Sequence, residues 1–291
     1  MANPFDLEDT EAYLRWHEHK LKHAIVDASE LIVEIKDPNA VTTAERAKVM
    51  SCCQRSNMAI YVTRLEMDER SVQSFAEQFG LKQLDANWLA GEEGVTRITV
   101  CSEDAQRQNY IPYTDRAIKW HTDGYYNPPE RQIRGMVLHC AHNAGIGGEN
   151  RVMDHEIAYL MLRDQNADFI RALSALDAMT IPERVDDIDG IRPAQTGPVF
   201  SIDPTSGALH MRYTARTRSI EWKQDELTRS AVAQLEKLLS SQTPHVHQLL
   251  LERGMGLICN NVLHDRSAFT NDPSKPRLLY RARYLDRVSI A

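Results

Sequence analysis

Lys119-Trp120-His121-Thr122-Asp123-Gly124-Tyr125-Tyr126-Asn127 is the stretch on which the reading of this chain turns. If it is extended, His121 and Asp123 project from one face and Thr122 from the other, because strand side chains alternate with a period of two. An imidazole beside a carboxylate makes two thirds of a facial triad, the donor set that holds ferrous iron and leaves coordination positions open. The third donor must then come from a distant strand, so the sheet has to fold back on itself. Taken alone, His-x-Asp is common by chance.

His264, in Asn260-Asn261-Val262-Leu263-His264-Asp265-Arg266, is the candidate third donor, and it follows the β-like run Leu257-Ile258-Cys259. Other histidines fit less well. His139 and His142 stand three apart on a predicted strand and so face opposite ways, while His245 and His247 share a face with no carboxylate beside them. Beyond His264 lies Arg277-Leu278-Leu279-Tyr280-Arg281-Ala282-Arg283-Tyr284. Alternation puts Leu278, Tyr280, Ala282 and Tyr284 on one face and Arg277, Leu279, Arg281 and Arg283 on the other. Three arginines on a face read either as a solvated edge or as an anion site, since a guanidinium fork matches carboxylate, sulfonate or phosphate geometry.

The texture around these residues predicts the architecture. Past Gly91 come short strands at 96–101, 117–122, 134–142, 256–260 and 278–284, a spacing that suits a β-sandwich or jelly roll. Helices are expected at 154–176 and 226–239. The opening third reads as helix 9–24, strand 31–35, helix 42–54 with Thr42 and Glu45 in a capping-box arrangement, strand 58–62, and a helix from Asp68 that stops at Gly80. The Asp-, Gly- and Pro-rich stretch 184–198 lacks periodicity and is expected to be a loop, either a lid or a surface excursion. The expected fold class is α+β, a double-stranded β-helix (jelly roll) core flanked by helices. No composition break divides 1–291, so one domain is expected, with an α/β lead-in over 1–95 and the core with its helical insertions over 96–291.

Bulk properties narrow the partners. With 291 residues, 42% of them hydrophobic, the chain can bury a sizeable core, and its net charge of −7 without a basic run argues against nucleic acid or an anionic membrane surface. A small-molecule partner is favoured, and a homo-oligomer is neither required nor opposed. The N-terminal residues show no basic flank before an apolar run, and no segment is long and apolar enough to span a bilayer, which points to a cytoplasmic protein. Five cysteines without metal-type spacing make no disulfide framework.

His121-x-Asp123, Gly147-Gly148-Glu149-Asn150, His264 and Arg277 together resemble the Fe(II) and 2-oxoglutarate dependent oxygenases of the taurine dioxygenase type, over roughly residues 109–284. Within that superfamily Tyr113-Thr114, Trp120 to Asp123, Leu138-His139-Cys140, Gly147-Gly148, Leu263 to Arg266 and the Arg277 strand look most similar to the γ-butyrobetaine hydroxylase branch. The resemblance implies that His121, Asp123 and His264 ligate Fe(II), that Arg277 holds the distal carboxylate of 2-oxoglutarate, and that O2 is the oxidant. It also implies hydroxylation, with desaturation the alternative left open, coupled to release of succinate and CO2, since the halogenating relatives have a small residue where Asp123 stands.

The chain departs from the pattern at two places. Where the family commonly has Gly-Gly-Asp followed by Thr or Ser, this sequence has Glu149-Asn150, with Asn150 as the substitute cosubstrate contact. Tyr113 fits one position of the aromatic cage that the butyrobetaine enzymes build around a quaternary ammonium, but Arg283 stands at a second and would repel a cation. An anionic or zwitterionic substrate is therefore expected, met by Arg281, Arg283 and either Arg212 or Arg216, with Tyr125 and Tyr126 either lining the pocket or simply packing. Two rivals remain: a zinc hydrolase using the same three donors, and a non-catalytic anion sensor on the same fold.

Overall fold

Two β-sheets and the space between them organise the structure, a computed structural model that describes residues 3–85, 94–100, 110–186, 190–218 and 220–289. The larger sheet runs Ile32–Glu34, Met58–Val62, Met255–Cys259, Gly135–His142, Leu278–Tyr284, Thr96–Ile98. Its first pair is parallel and the others are antiparallel. The smaller sheet runs Val246–Leu249, Asn150–Met153, Leu263–Arg266, Ile118–His121, antiparallel throughout. Strands far apart in sequence lie side by side in both sheets, the signature of a jelly roll.

Local chemistry sets the helices. α1 (Thr10–His23) starts at Asp9, whose side chain accepts from the amide of Ala12. α2 (Thr43–Ser56) carries the expected capping box, Thr42 and Glu45 each satisfying the other's orphan amide. α3 (Glu69–Glu77) is followed by Gly80 at φ +77°, a left-handed position where glycine carries no Cβ penalty. α2 and α3 pack with the larger sheet around Val49, Val72, Phe75 and Phe79. α4 (His155–Gln165), α5 (Ala167–Leu173) and α6 (Glu226–Ser240) enclose a second apolar cluster, which Trp120, Met153 and Leu263 of the smaller sheet complete.

Three expectations change. The predicted helix 154–176 is two helices, because Asn166 is extended (φ −164°, ψ 117°) and its side chain accepts from the amide of Asp168, opening α5. The expected loop 184–198 holds a hairpin, Arg184–Asp186 with Gly190–Arg192, and a strand, Gln195–Gly197, that pairs with Met179–Ile181. Three-residue strands are too short for alternation to register in sequence, and positions 187–189 lie outside the described residues. The core sheet also reaches back beyond the expected 96–291: Met58–Val62 pairs directly with Met255–Cys259, so residues before 95 supply two of the larger sheet's six strands. The strand expected at 96–101 is described as Thr96–Ile98, and position 101 lies outside the described residues. Among the described residues no helix is long and apolar enough to cross a membrane.

Candidate active site

Register assembles the site. His264 pairs directly with His121 on one side and with Val152 on the other, so their side chains leave the same face of the smaller sheet. The two imidazole rings are 4.2 Å apart centre to centre. The strand ends at His121, and Asp123 is delivered by a turn instead of the expected extended run. Gly124 at φ +69° makes that turn, where a Cβ would collide with Ile133. Thr122 faces away, its hydroxyl accepting from the amide of Tyr213 at 3.0 Å. Donor atoms of His121, Asp123 and His264 then lie within 4.8 Å of one another.

One residue that the sequence reading did not single out fixes the turn. Asn261, itself at φ +54°, accepts from the Asp123 amide at 2.8 Å and donates back to the Asp123 carbonyl at 2.9 Å. The same amide donates to the Ile133 carbonyl at 2.6 Å. The Asn260-Asn261 pair just before the His264 strand was the available signal, since asparagine is the residue that best tolerates left-handed backbone. Asn261→Ala is expected to lower metal affinity about 10- to 100-fold, the usual effect of losing a group that orients a ligand. An iron titration of the folded variant measures this; affinity within twofold of the parent protein would show the clamp to be dispensable.

The electrostatics of the three donors demand a cation. His121 Nδ1 lies 2.9 Å from the Lys119 carbonyl and His264 Nδ1 lies 2.9 Å from the Val262 carbonyl. A carbonyl only accepts, so each Nδ1 carries a proton and Nε2 is the nitrogen left to face the common point. His121 Nε2 faces Asp123 Oδ1 at 3.6 Å, and Asp123 Oδ2 is buried with no hydrogen-bond partner. Burial alone would raise the Asp123 pKa, but Arg281 at 3.4 Å, with His121, His264 and Arg283, holds it well below the usual carboxylate range. Burial, with His121 adding to it, pushes His264 down to about 4, so it is neutral near pH 7. Two imidazoles, each with Nε2 turned inward, and one carboxylate converge on one point and make a donor set that fits a divalent metal.

The arginines divide into different roles. Arg277 is 5% exposed and has no carboxylate partner among the described residues. It stacks over Phe269 at 5.1 Å, with its Nε beside Gly148, and burial pushes its pKa down to about 10. Gly148, at φ +83°, turns the chain beside the guanidinium in a backbone conformation that favours glycine. Arg281 turns to Asp123, as its face of the strand requires. Arg283 already has partners: it donates to Asp85 at 2.6 Å and to the Tyr126 hydroxyl at 2.8 Å, and it is only 3% exposed. As placed it anchors Tyr126 through Nη1 and Asp85 through Nη2, and its buried Nε is left without a partner. Arg212 donates to the carbonyls of Tyr125, Met179, Gly197 and Gln195, a backbone clamp in place of an anion binder.

Asn150 lies on the strand beside His264, but its amide nitrogen is given to the Asp265 carbonyl at 2.8 Å and the atom left unpaired is the acceptor Oδ1. In this orientation it has the wrong polarity for a carboxylate. Tyr113 is buried in the turn Ile111–Tyr113, which Arg266 holds through the carbonyls of Pro112 and Thr114. Tyr125 is buried with its ring edge-on to His121 at 6.5 Å, and Tyr126, half-buried, meets Tyr125 at 5.2 Å.

Comparison with known proteins agrees with this arrangement. The chain is 27% identical over 218 residues to a uridine-5'-phosphate dioxygenase from a Streptomyces species, covering 73% of this chain and 78% of that one. Among solved structures, an asparagine oxygenase in complex with Fe(II), 3-hydroxyasparagine and succinate superposes with a TM-score of 0.63 at 15% identity, over 85% of this chain and 81% of that one. A taurine dioxygenase from Burkholderia xenovorans gives a TM-score of 0.57 at 16% identity, covering 87% of each. Residues 19–283, which carry every donor and every arginine described above, match the family model of the taurine catabolism dioxygenases, and the chain belongs to this TauD, TfdA family.

Proposed function

We propose that the protein is an Fe(II) and 2-oxoglutarate dependent dioxygenase that hydroxylates a small anionic or zwitterionic metabolite, with the whole chain acting as a single oxygenase domain. The observation that carries this reading is the convergence of three lone-pair donors, His121, Asp123 and His264, with both imidazole protons turned away toward carbonyls. Iron and 2-oxoglutarate bound there would supply the activation of O2, with succinate and CO2 as products. The chain's own residues would do the rest. Arg281 keeps Asp123 ionised, the Lys119 and Val262 carbonyls orient the imidazoles, and Arg277 offers a buried charge to the distal carboxylate of 2-oxoglutarate. Tyr125 shields the His121 side of the metal position from water.

The buried, unpaired Arg277 favours an oxygenase over a zinc hydrolase. Its charge has no carboxylate partner among the described residues, and the dicarboxylate cosubstrate of an oxygenase would give it one. Arg281, at the metal position with its Nε unpaired, is the residue proposed to meet the substrate's charge. The likeness to the γ-butyrobetaine branch rests on motifs and is not carried over to the substrate. The uridine-5'-phosphate dioxygenase relative makes phosphorylated nucleosides the first compounds to try. Substrate-dependent succinate release is the test, with uridine 5'-phosphate, other anions, zwitterions and quaternary amines compared. Turnover is expected with anions or zwitterions, and turnover with quaternary amines alone would overturn the substrate assignment.

A further inference from the structure

A second group of arginines stands beside Tyr125 and Tyr126, and the proposed catalytic roles make no use of it. The guanidinium of Arg192 lies 5.5 Å from the centre of the Tyr126 ring, and that of Arg216 lies 5.8 Å from the centre of the Tyr125 ring. The rings are themselves 5.2 Å apart and edge-to-face, with 84° between their planes, so one cation stands beside each of two touching rings. Neither has a carboxylate partner among the described residues. Arg192 donates one bond, from Nη2 to the Pro182 carbonyl at 3.1 Å, while its Nη1 is buried with no acceptor.

The hairpin makes the charge concentration sharper. Arg192 is the direct cross-strand partner of Arg184, a like-charge pairing that destabilises an antiparallel ribbon. Burial, together with repulsion from Arg184 and Arg216, lowers the Arg192 pKa against the opposing pull of Tyr125 and Tyr126. Arg192 and Arg216, close together with a buried donor left open, are costly in the free protein and favourable once an anion bridges them. The count matters too. Two positive charges match a dianion better than a single carboxylate, and Arg277 is already assigned to the distal carboxylate of 2-oxoglutarate.

We propose that Arg192 and Arg216, held over Tyr126 and Tyr125, form a subsite for a phosphoryl group, the charged end of a phosphomonoester substrate whose reacting carbon lies on the metal side of Tyr125. This assignment rests on the oxygenase reading above, and its test is independent of turnover. Protein loaded with Fe(II) and 2-oxoglutarate without oxygen, so that Arg277 is occupied, is titrated with inorganic phosphate by calorimetry at constant ionic strength. Saturable binding is expected in the parent protein. Arg192→Gln and Arg216→Gln are each expected to weaken it at least tenfold, the scale of a lost charge-assisted hydrogen bond, and Arg192→Lys to restore part of it. Arg253→Gln, an exposed arginine paired with Glu66, is expected to leave it unchanged. No phosphate binding to the parent protein, equal binding to the Arg192 and Arg216 variants, or an equal loss in the Arg253 variant would each overturn the subsite. Retention of the visible band of the iron and 2-oxoglutarate complex in the variants shows that the metal site is intact. Absence of that band in the parent protein would sink the oxygenase reading instead, and the phosphate titration would still decide the subsite.

Discussion

His264→Ala is expected to remove stoichiometric iron and to reduce 2-oxoglutarate turnover about 10³-fold or more, equivalent to ~4 kcal/mol of lost metal-centred stabilisation. The reason is geometric. His264 is the middle strand's contribution, paired on one side with His121 and on the other with Val152, and no other described histidine or carboxylate joins that cluster. Burial already keeps the imidazole neutral, so its replacement removes a lone pair and no charge. The fold should therefore survive the loss of this ring, and far-ultraviolet circular dichroism separates lost metal from lost structure. Asp123→Ala is a harsher change, because it also leaves Arg281 beside an empty position. Iron binding within threefold of the parent protein in folded His264→Ala would refute the ligand assignment.

Arg277→Ala is expected to raise the 2-oxoglutarate concentration needed for half-maximal rate about 10- to 100-fold, since hydrogen bonds to a charged group contribute about 1.5–3 kcal/mol each. Iron content should not change. The melting temperature of the metal-free protein should hold as well, because Arg277 forms no ion pair among the described residues that its removal would break. This combination, a cosubstrate defect without a stability defect, separates an anion anchor from a structural arginine. Arg283→Ala is expected to behave the opposite way, losing stability first, since it leaves Asp85 buried with one cation fewer. An unchanged 2-oxoglutarate requirement in Arg277→Ala would move the anchor to Arg281.

The two candidate histidine donors were legible in the sequence because they stand on strands whose period is fixed. His121 and His264 needed only the period-two rule and a jelly-roll expectation to be brought together. Arg281 was legible for the same reason, as part of an alternating strand whose other face, Tyr280, Ala282 and Tyr284, belongs to the larger core. What alternation could not give was the partner of each arginine. Arg277, Arg281, Arg283 and Arg212 look alike in sequence, yet one is unpaired, one faces a ligand, one meets Asp85 and one clamps four carbonyls. Those fates depend on residues up to about two hundred positions away, such as Asp85 for Arg283.

The remaining differences come from irregular backbone. Asp123 shares a site with His121 through a glycine turn and the Asn261 clamp, so the right pairing was expected for a reason that is only partly right. The 184–192 hairpin escaped notice because its strands are three residues long and rich in charge. That polarity was the useful signal. Arg184 and Arg192 in an otherwise acidic, apolar-poor stretch are unusual for a plain surface excursion, and their position opposite each other is what directs attention to the tyrosine platform.

The most direct measurement of the central claim is made without oxygen or substrate. Fe(II) and then 2-oxoglutarate are added anaerobically to the purified, metal-free protein, and the visible spectrum is recorded alongside that of His264→Ala. A weak charge-transfer band that saturates at one iron per chain in the parent protein, and is absent from the variant, is the expected result. A folded parent protein that gives no band at saturating iron and 2-oxoglutarate would contradict the assignment of His121, Asp123 and His264 as an iron site that accepts this cosubstrate.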